Sequence, residues 1–132
     1  MNTTVTAGAG VGSTEEQLTS LVGEIRRAIP ELTGVMVASE DGLSLCHDVP
    51  DADSDRIAAL AATALGVGRQ VSERSSLGSF QETVVRGEDG YLVVYAAGRS
   101  AVLAITGPKN LNLALVRIQA RAASAQVGAI LP

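Results

Sequence analysis

The sequence predicts an α/β sandwich of the α+β kind: a five-stranded antiparallel sheet in the order αββαβββα, with one helix on one face and two on the other. Three observations predict it. Asp41-Gly42 and Asp89-Gly90 each lie between apolar runs, the pattern of a tight hairpin. Residues 91–97 and 101–105 are apolar on both faces, as strands in the middle of a covered sheet are. Between Arg56 and Arg69 the chain runs from Ile57 to Gly68 without a charge, mostly Ala and Gly, at helical spacing. With 132 residues, 46% of them hydrophobic, the chain is long enough for one core of two or three layers.

Residues 1–12 are a tail of small residues expected to be disordered, and residues 13–132 form a single domain. The first helix opens at a capping box, Ser13-x-x-Glu16, and carries Leu18, Leu21, Val22, Ile25, Ala28 and Ile29 on one face until Pro30 stops it. Two short strands follow, 34–39 and 43–48, joined by Glu40-Asp41-Gly42. Pro50 ends the second. Asp51, Asp53 and Asp55 favour a helix start through capping and the helix dipole.

That second helix runs to about residue 75. Its expected core stripe is Ile57, Leu60, Ala61, Ala64, Val67 or Gly68, and Val71. The opposite side, Ala58, Ala59, Ala62, Thr63 and Gly66, lacks the Lys, Glu and Arg of a solvated face. Small side chains let two backbones approach closely, so the helix is expected to be covered twice, by its own sheet and by a second copy of the chain. Arg56, Arg69 and Arg74 border this face as a polar rim.

A three-strand meander comes next, over 81–88, 91–97 and 100–106. The first strand alternates and holds Glu82, Arg86 and Glu88 on one face, which makes it an edge or a joint between subunits. Gly107-Pro108 breaks the last strand. Asn110 is expected to cap a final helix to about residue 129, with Leu111, Leu115, Ile118, Ala122, Ala125 and Ala129 as its core stripe.

Charge and composition exclude several classes. The net charge is −4, and the ten basic residues are scattered, which does not suit nucleic acid. Phe80, Tyr91 and Tyr95 are the only aromatics and make no stacking platform. No apolar run reaches the ~18–20 residues of a membrane span, and the N-terminus has neither the basic start nor the apolar block of a signal peptide. A single Cys cannot form an internal disulfide. These features imply a cytoplasmic protein without membrane insertion.

No set of residues composes an active site. Cys46 and His47 are neighbours in a strand, so their side chains point to opposite sides of the sheet. Cys46 reads as a small buried hydrophobe and His47 as a rim residue with no second His to share a metal. Gly8-x-Gly10-x-Gly12 follows no strand and lacks a Gly-Lys-Ser/Thr ending. Gly107-Pro108-Lys109-Asn110 reads as a strand-to-helix turn, and the three Asp residues at 51, 53 and 55 lack the Gly and Glu of a calcium loop. Neither a catalytic residue, a cofactor nor a metal ligand is expected.

Three stretches in this order are similar to the roadblock/dynein light-chain family, in particular its bacterial members of the mutual-gliding-protein B type. They are residues 34–48 (GVMVASEDGLSLCHD), 55–72 (DRIAALAATALGVGRQVS) and 82–121 (ETVVRGEDGYLVVYAAGRSAVLAITGPKNLNLALVRIQAR). The likeness covers about residues 14–130, and the Ala/Gly-rich, Arg-bearing style resembles stand-alone actinobacterial versions. The resemblance implies a profilin-like sandwich that forms homodimers, with middle helices antiparallel and third strands paired. It also implies binding of a Ras-like small GTPase as activator, exchange factor or scaffold without a catalytic side chain, and a histidine-kinase-like sensor as a further partner. The interface expected from the residues and the resemblance together comprises Ala58, Ala59, Ala62, Thr63, Gly66, Arg69, Glu82, Val84 and Arg86. Two other readings stay open. One is a PAS- or GAF-like ligand sensor, which requires a polar internal cavity; the other is a scaffold for a kinase, indifferent to nucleotide.

Overall fold

The computed structural model describes residues 12–132. The expected tail therefore lies, but for Gly12, outside the described residues.

Helix α1 spans Thr14–Ala28 and starts at the expected capping box. Glu16 donates its backbone N–H to Ser13 Oγ (3.1 Å), and Ser13 donates its own to Glu16 Oε1 (2.9 Å). Two otherwise orphaned amides are thereby satisfied. Leu18, Leu21, Val22 and Ile25 face inward, whereas Ala28, expected among them, is exposed.

Strands β1 (Gly34–Ser39) and β2 (Ser44–Asp48) form the first hairpin. Its turn needs Gly42, whose φ of 92° is one that a side chain disfavours. Helix α2 spans Asp51–Arg74; β3 (Thr83–Arg86), β4 (Gly90–Ala97) and β5 (Ala101–Pro108) make the meander; α3 spans Leu113–Ile130. The sheet order is β2-β1-β5-β4-β3, every pair antiparallel. The predicted order αββαβββα and the five-stranded sheet are what the chain adopts.

The strands β1, β4 and β5 are sealed on both faces. Val35, Val37, Val93, Leu103 and Ile105 point to the side of α1 and α3, while Met36, Ala38, Val94, Val102 and Ala104 point to α2. One helix therefore covers one face and two cover the other. Separate cores result, divided by the sheet.

Both later helices are rotated from the stripes expected of them. In α2 the buried residues are Ser54, Ala58, Ala61 and Leu65, with Ile57 and Ala64 packed against the same core as expected, and Leu60, Val67 and Val71 point outward. Ala58 and Ala61, at 0% exposure, seat the helix directly on the sheet, which larger side chains there would hold off. In α3 the cap is Asn112, not Asn110: its Oδ1 accepts from the Leu115 amide (3.1 Å). The helix turns a different side to the sheet from the one expected, so Val116, Ala120, Ala123 and Val127 are buried and Leu115 packs partly against them, while Ile118, Ala122, Ala125 and Ala129 are not among the core residues. Leu111 is buried as expected, but ahead of the helix.

The Asp cluster does not cap α2 through a side chain. Pro50 occupies the cap position, and the cluster's contribution is the charge of Asp51 and Asp53 in the first turn, which suits the dipole. Strand β3 is shorter than the expected 81–88 because the residues before it diverge. Phe80 packs with the α2 core and Glu82 reaches toward α3.

Candidate interaction surface

The outer face of α2 presents Leu60, Val67 and Val71, which are 54%, 57% and 50% exposed. Their spacing of seven and four residues puts them on one side of the helix. Ala59, Thr63 and Gly66 lie exposed between them. Thr63 donates its hydroxyl back to the Ala59 carbonyl (2.9 Å), which satisfies its polar group within the helix. A Cβ added at Gly66 would meet nothing within 4 Å. The face is therefore open and largely apolar, with Gln70 exposed beside Gly66 and Val67.

Of the residues expected at an interface, Ala59, Thr63 and Gly66 are on this face, and Ala62 is half-buried at its border, near Gly42. Ala58 is not: it is wholly in the core. Sequence reasoning assigned Leu60, Val67 and Val71 to the core, and so missed the three largest members of the surface. The signal that could have separated them is the rule that the tighter contact takes the smaller residues. Arg69 pairs with Glu40, and Arg56 with Asp53, as charged border contacts.

Among the described residues, strand β3 is the edge of the sheet, with β4 on one side and no strand on the other. Thr83 donates its hydroxyl to the Ala64 carbonyl of α2 (3.0 Å), fixing strand and helix together. Gly68 permits that approach, since a Cβ there would lie 2.2 Å from Thr83 Oγ1 and 2.5 Å from the Phe80 ring. Alternation puts Val85 on the α2 side of the sheet with Thr83, and it is 49% exposed. Val84 and Arg86 point to the other side, where Arg86 stacks over Tyr91 (5.9 Å to the ring centre).

Glu82 is engaged within its own subunit. Arg117 of α3 donates to both of its oxygens, at 2.7 and 3.0 Å to Oε2 and 3.1 Å to Oε1, and the Tyr95 hydroxyl donates to Oε1 at 3.0 Å. These bonds, those of Arg117 first, hold the Glu82 carboxyl below the usual range against the opposing effect of burial. Burial and then the Glu82 charge push the Tyr95 phenol well upward, and the Arg117 guanidinium is raised by its bonds to Glu82.

At the opposite edge, Cys46 and His47 point to opposite faces, as expected. Cys46 Sγ lies 3.6 Å from Thr19 Oγ1 of α1, and Cys46 is half-buried. His47 Nε2 lies 3.0 Å from Asp51 Oδ1, and its Nδ1 lies 3.2 Å from Ser44 Oγ. This Ser-His-Asp contact was not foreseen from spacing. The Asp51 side chain is 99% exposed, so no enclosed carboxylate orients the imidazole, and the arrangement ties β2 to the start of α2.

Residues 20–106 match the family described as Roadblock/LC7 domain. An uncharacterised protein of Methanocaldococcus jannaschii is 30% identical over 98 residues, covering 74% of this chain and 82% of its own. Among solved structures, the Roadblock/LC7 domain from Streptomyces avermitilis superposes with a TM-score of 0.80 at 23% identity, covering 86% and 96% of the two chains. The gliding protein MglB from Thermus thermophilus gives 0.78 at 22%, covering 90% and 91%, and an MglB described with a tetrameric arrangement gives 0.79 at 22%, covering 90% of each. Profilin IA from Acanthamoeba castellanii gives 0.52 at 7%, covering 89% and 98%, which bears out the profilin-like architecture.

Proposed function

Because the chain belongs to the Roadblock/LC7 domain family, we propose that it is a homodimeric regulatory and scaffold module that binds a Ras-like small GTPase and modulates its nucleotide cycle in bacterial signalling. The observation that carries this reading is the open apolar face of α2. Leu60, Val67 and Val71 are each about half exposed, so covering them returns roughly 1 kcal/mol apiece, and Ala59 and Gly66 let a facing backbone come close. A twin helix laid antiparallel meets the same face on itself, as a two-fold contact requires. The open edge of β3 adds backbone donors and acceptors beside it.

The module contributes no catalytic side chain. It acts on the GTPase by favouring one arrangement of its switch segments, a shift of population limited by the differential affinity for the two states. The likeness to MglB supports a regulatory role, and a histidine-kinase-like sensor is a further partner. The site of action is the cytoplasm; among the described residues no helix is long and apolar enough to cross a membrane. The ligand-sensor alternative has less support, because Val93, Val94, Val102, Leu103 and Ile105 fill both sides of the middle strands.

The test is to mix the purified chain with a Ras-like GTPase of its own organism. A complex on gel filtration, with GTP hydrolysis or nucleotide release altered several-fold, is the expected result. Absence of a complex together with unaltered rates overturns the proposal, and binding indifferent to GTP or GDP favours a nucleotide-independent scaffold.

A further inference from the structure

Strand β4 outruns its neighbour. Its pairing with β3 stops at Val94 opposite Thr83, yet β4 continues to Ala97. Across this edge Gly87 donates to the Gly90 carbonyl (2.8 Å), and strand alternation repeats that orientation at residues 92, 94 and 96. Ala96 thus turns its N–H and C=O toward Gln81, which lies ahead of β3 in the same groove and makes no backbone hydrogen bond to it. Phe80, drawn to the α2 side, and α3 on the other side leave a groove of about 450 Å³ over this open rung.

The groove is built for charge of one sign. Glu82 is taken up by Arg117 and Tyr95. Arg121, one turn further along α3, lines the same groove, and no described carboxylate pairs with it. Ser124, a further lining residue, keeps a buried Oγ with no hydrogen-bond partner. Two guanidiniums against one carboxylate leave a local excess of positive charge on a chain of net charge −4. A backbone rung awaiting a strand, a cation without a counterion and an unsatisfied hydroxyl occur together.

We propose that this groove binds an extended segment of a partner protein that carries a carboxylate. The segment adds as a short strand beside Ala96, its main chain bonding the open rung, while an acidic side chain or a C-terminal carboxylate meets Arg121. Ser124 Oγ donates to the same segment. The site is separate from the outer face of α2 and does not depend on it.

Selection of random heptapeptides, displayed with free and blocked C-termini, against the immobilised full-length protein tests this. The expected outcome is enrichment of acidic or free-carboxylate sequences. Synthetic copies should shift the NMR amide signals of Tyr95, Ala96 and Ser124, and bind Arg121→Gln at least tenfold more weakly. Circular dichroism and solution mass of that variant should match the parent, since Arg121 is exposed and belongs to neither the cores nor the α2 face. Failure to enrich any sequence, peptides that map elsewhere, or equal binding to Arg121→Gln overturns the proposal. So does protection of the Ala96 amide that rises with concentration of the free protein, which identifies a second copy as the occupant.

Discussion

Arg117 grips both carboxylate oxygens of Glu82, at 2.7 Å to Oε2 and 3.1 Å to Oε1, and so links α3 to the residue that leads into the edge strand. Glu82 looked in the sequence like an interface charge on a half-polar strand. Within one subunit it braces two elements.

The brace gives stability a pH dependence of known sign. Glu82 titrates lower in the folded chain than its ordinary value of 4.5, chiefly through Arg117, so its stabilisation is fully present above that value and is lost as pH falls through the native one. Glu82→Gln should therefore be less stable than the parent near neutral pH and draw level with it in acid. Denaturant midpoints of the two proteins at several pH values measure this; a constant gap contradicts it.

Two glycines of α2 should respond oppositely to alanine. A Cβ at Gly68 collides with Thr83 Oγ1 at 2.2 Å and the Phe80 ring at 2.5 Å, so Gly68→Ala should cost about 1–3 kcal/mol. Gly66 has open space, so Gly66→Ala should stabilise the isolated subunit by about 0.5–1 kcal/mol. Thermal unfolding of both variants at low concentration checks the pair.

Removal of one hydroxyl should loosen α1. Ser13→Ala abolishes the bond from the Glu16 amide and should cost about 1 kcal/mol, read from chemical denaturation. Amide hydrogen exchange should quicken in the first turn and stay unchanged in α3.

How far the sequence could be read follows from which signals are local. The capping box at Ser13, the Asp41-Gly42 turn and the doubly apolar strands act through neighbouring residues, and each appears where periodicity and turn chemistry put it, whereas the second hairpin turns at Glu88-Asp89, one residue before the expected Asp89-Gly90, with Gly90 already in β4. The rotations of α2 and α3 are not local. An Ala-rich helix fits a sheet on either side, and the choice depends on how near the sheet lies beneath Ala58, Ala61 and Leu65. Amphipathic reasoning assigns the largest residues to the core, and that moved Leu60, Val67 and Val71 inward and Ala58 outward. Glu82's brace was hidden for the same reason, since Arg117 lies 35 residues away and its direction follows from the phase of α3.

The surface on α2 has the most direct test in solution mass. Sedimentation equilibrium at micromolar concentration should give twice the 13.5 kDa subunit mass for the parent, and one subunit for Val67→Asp and Ala62→Arg with unchanged circular dichroism. A single-subunit mass for the parent, or variants that remain paired, contradicts the account.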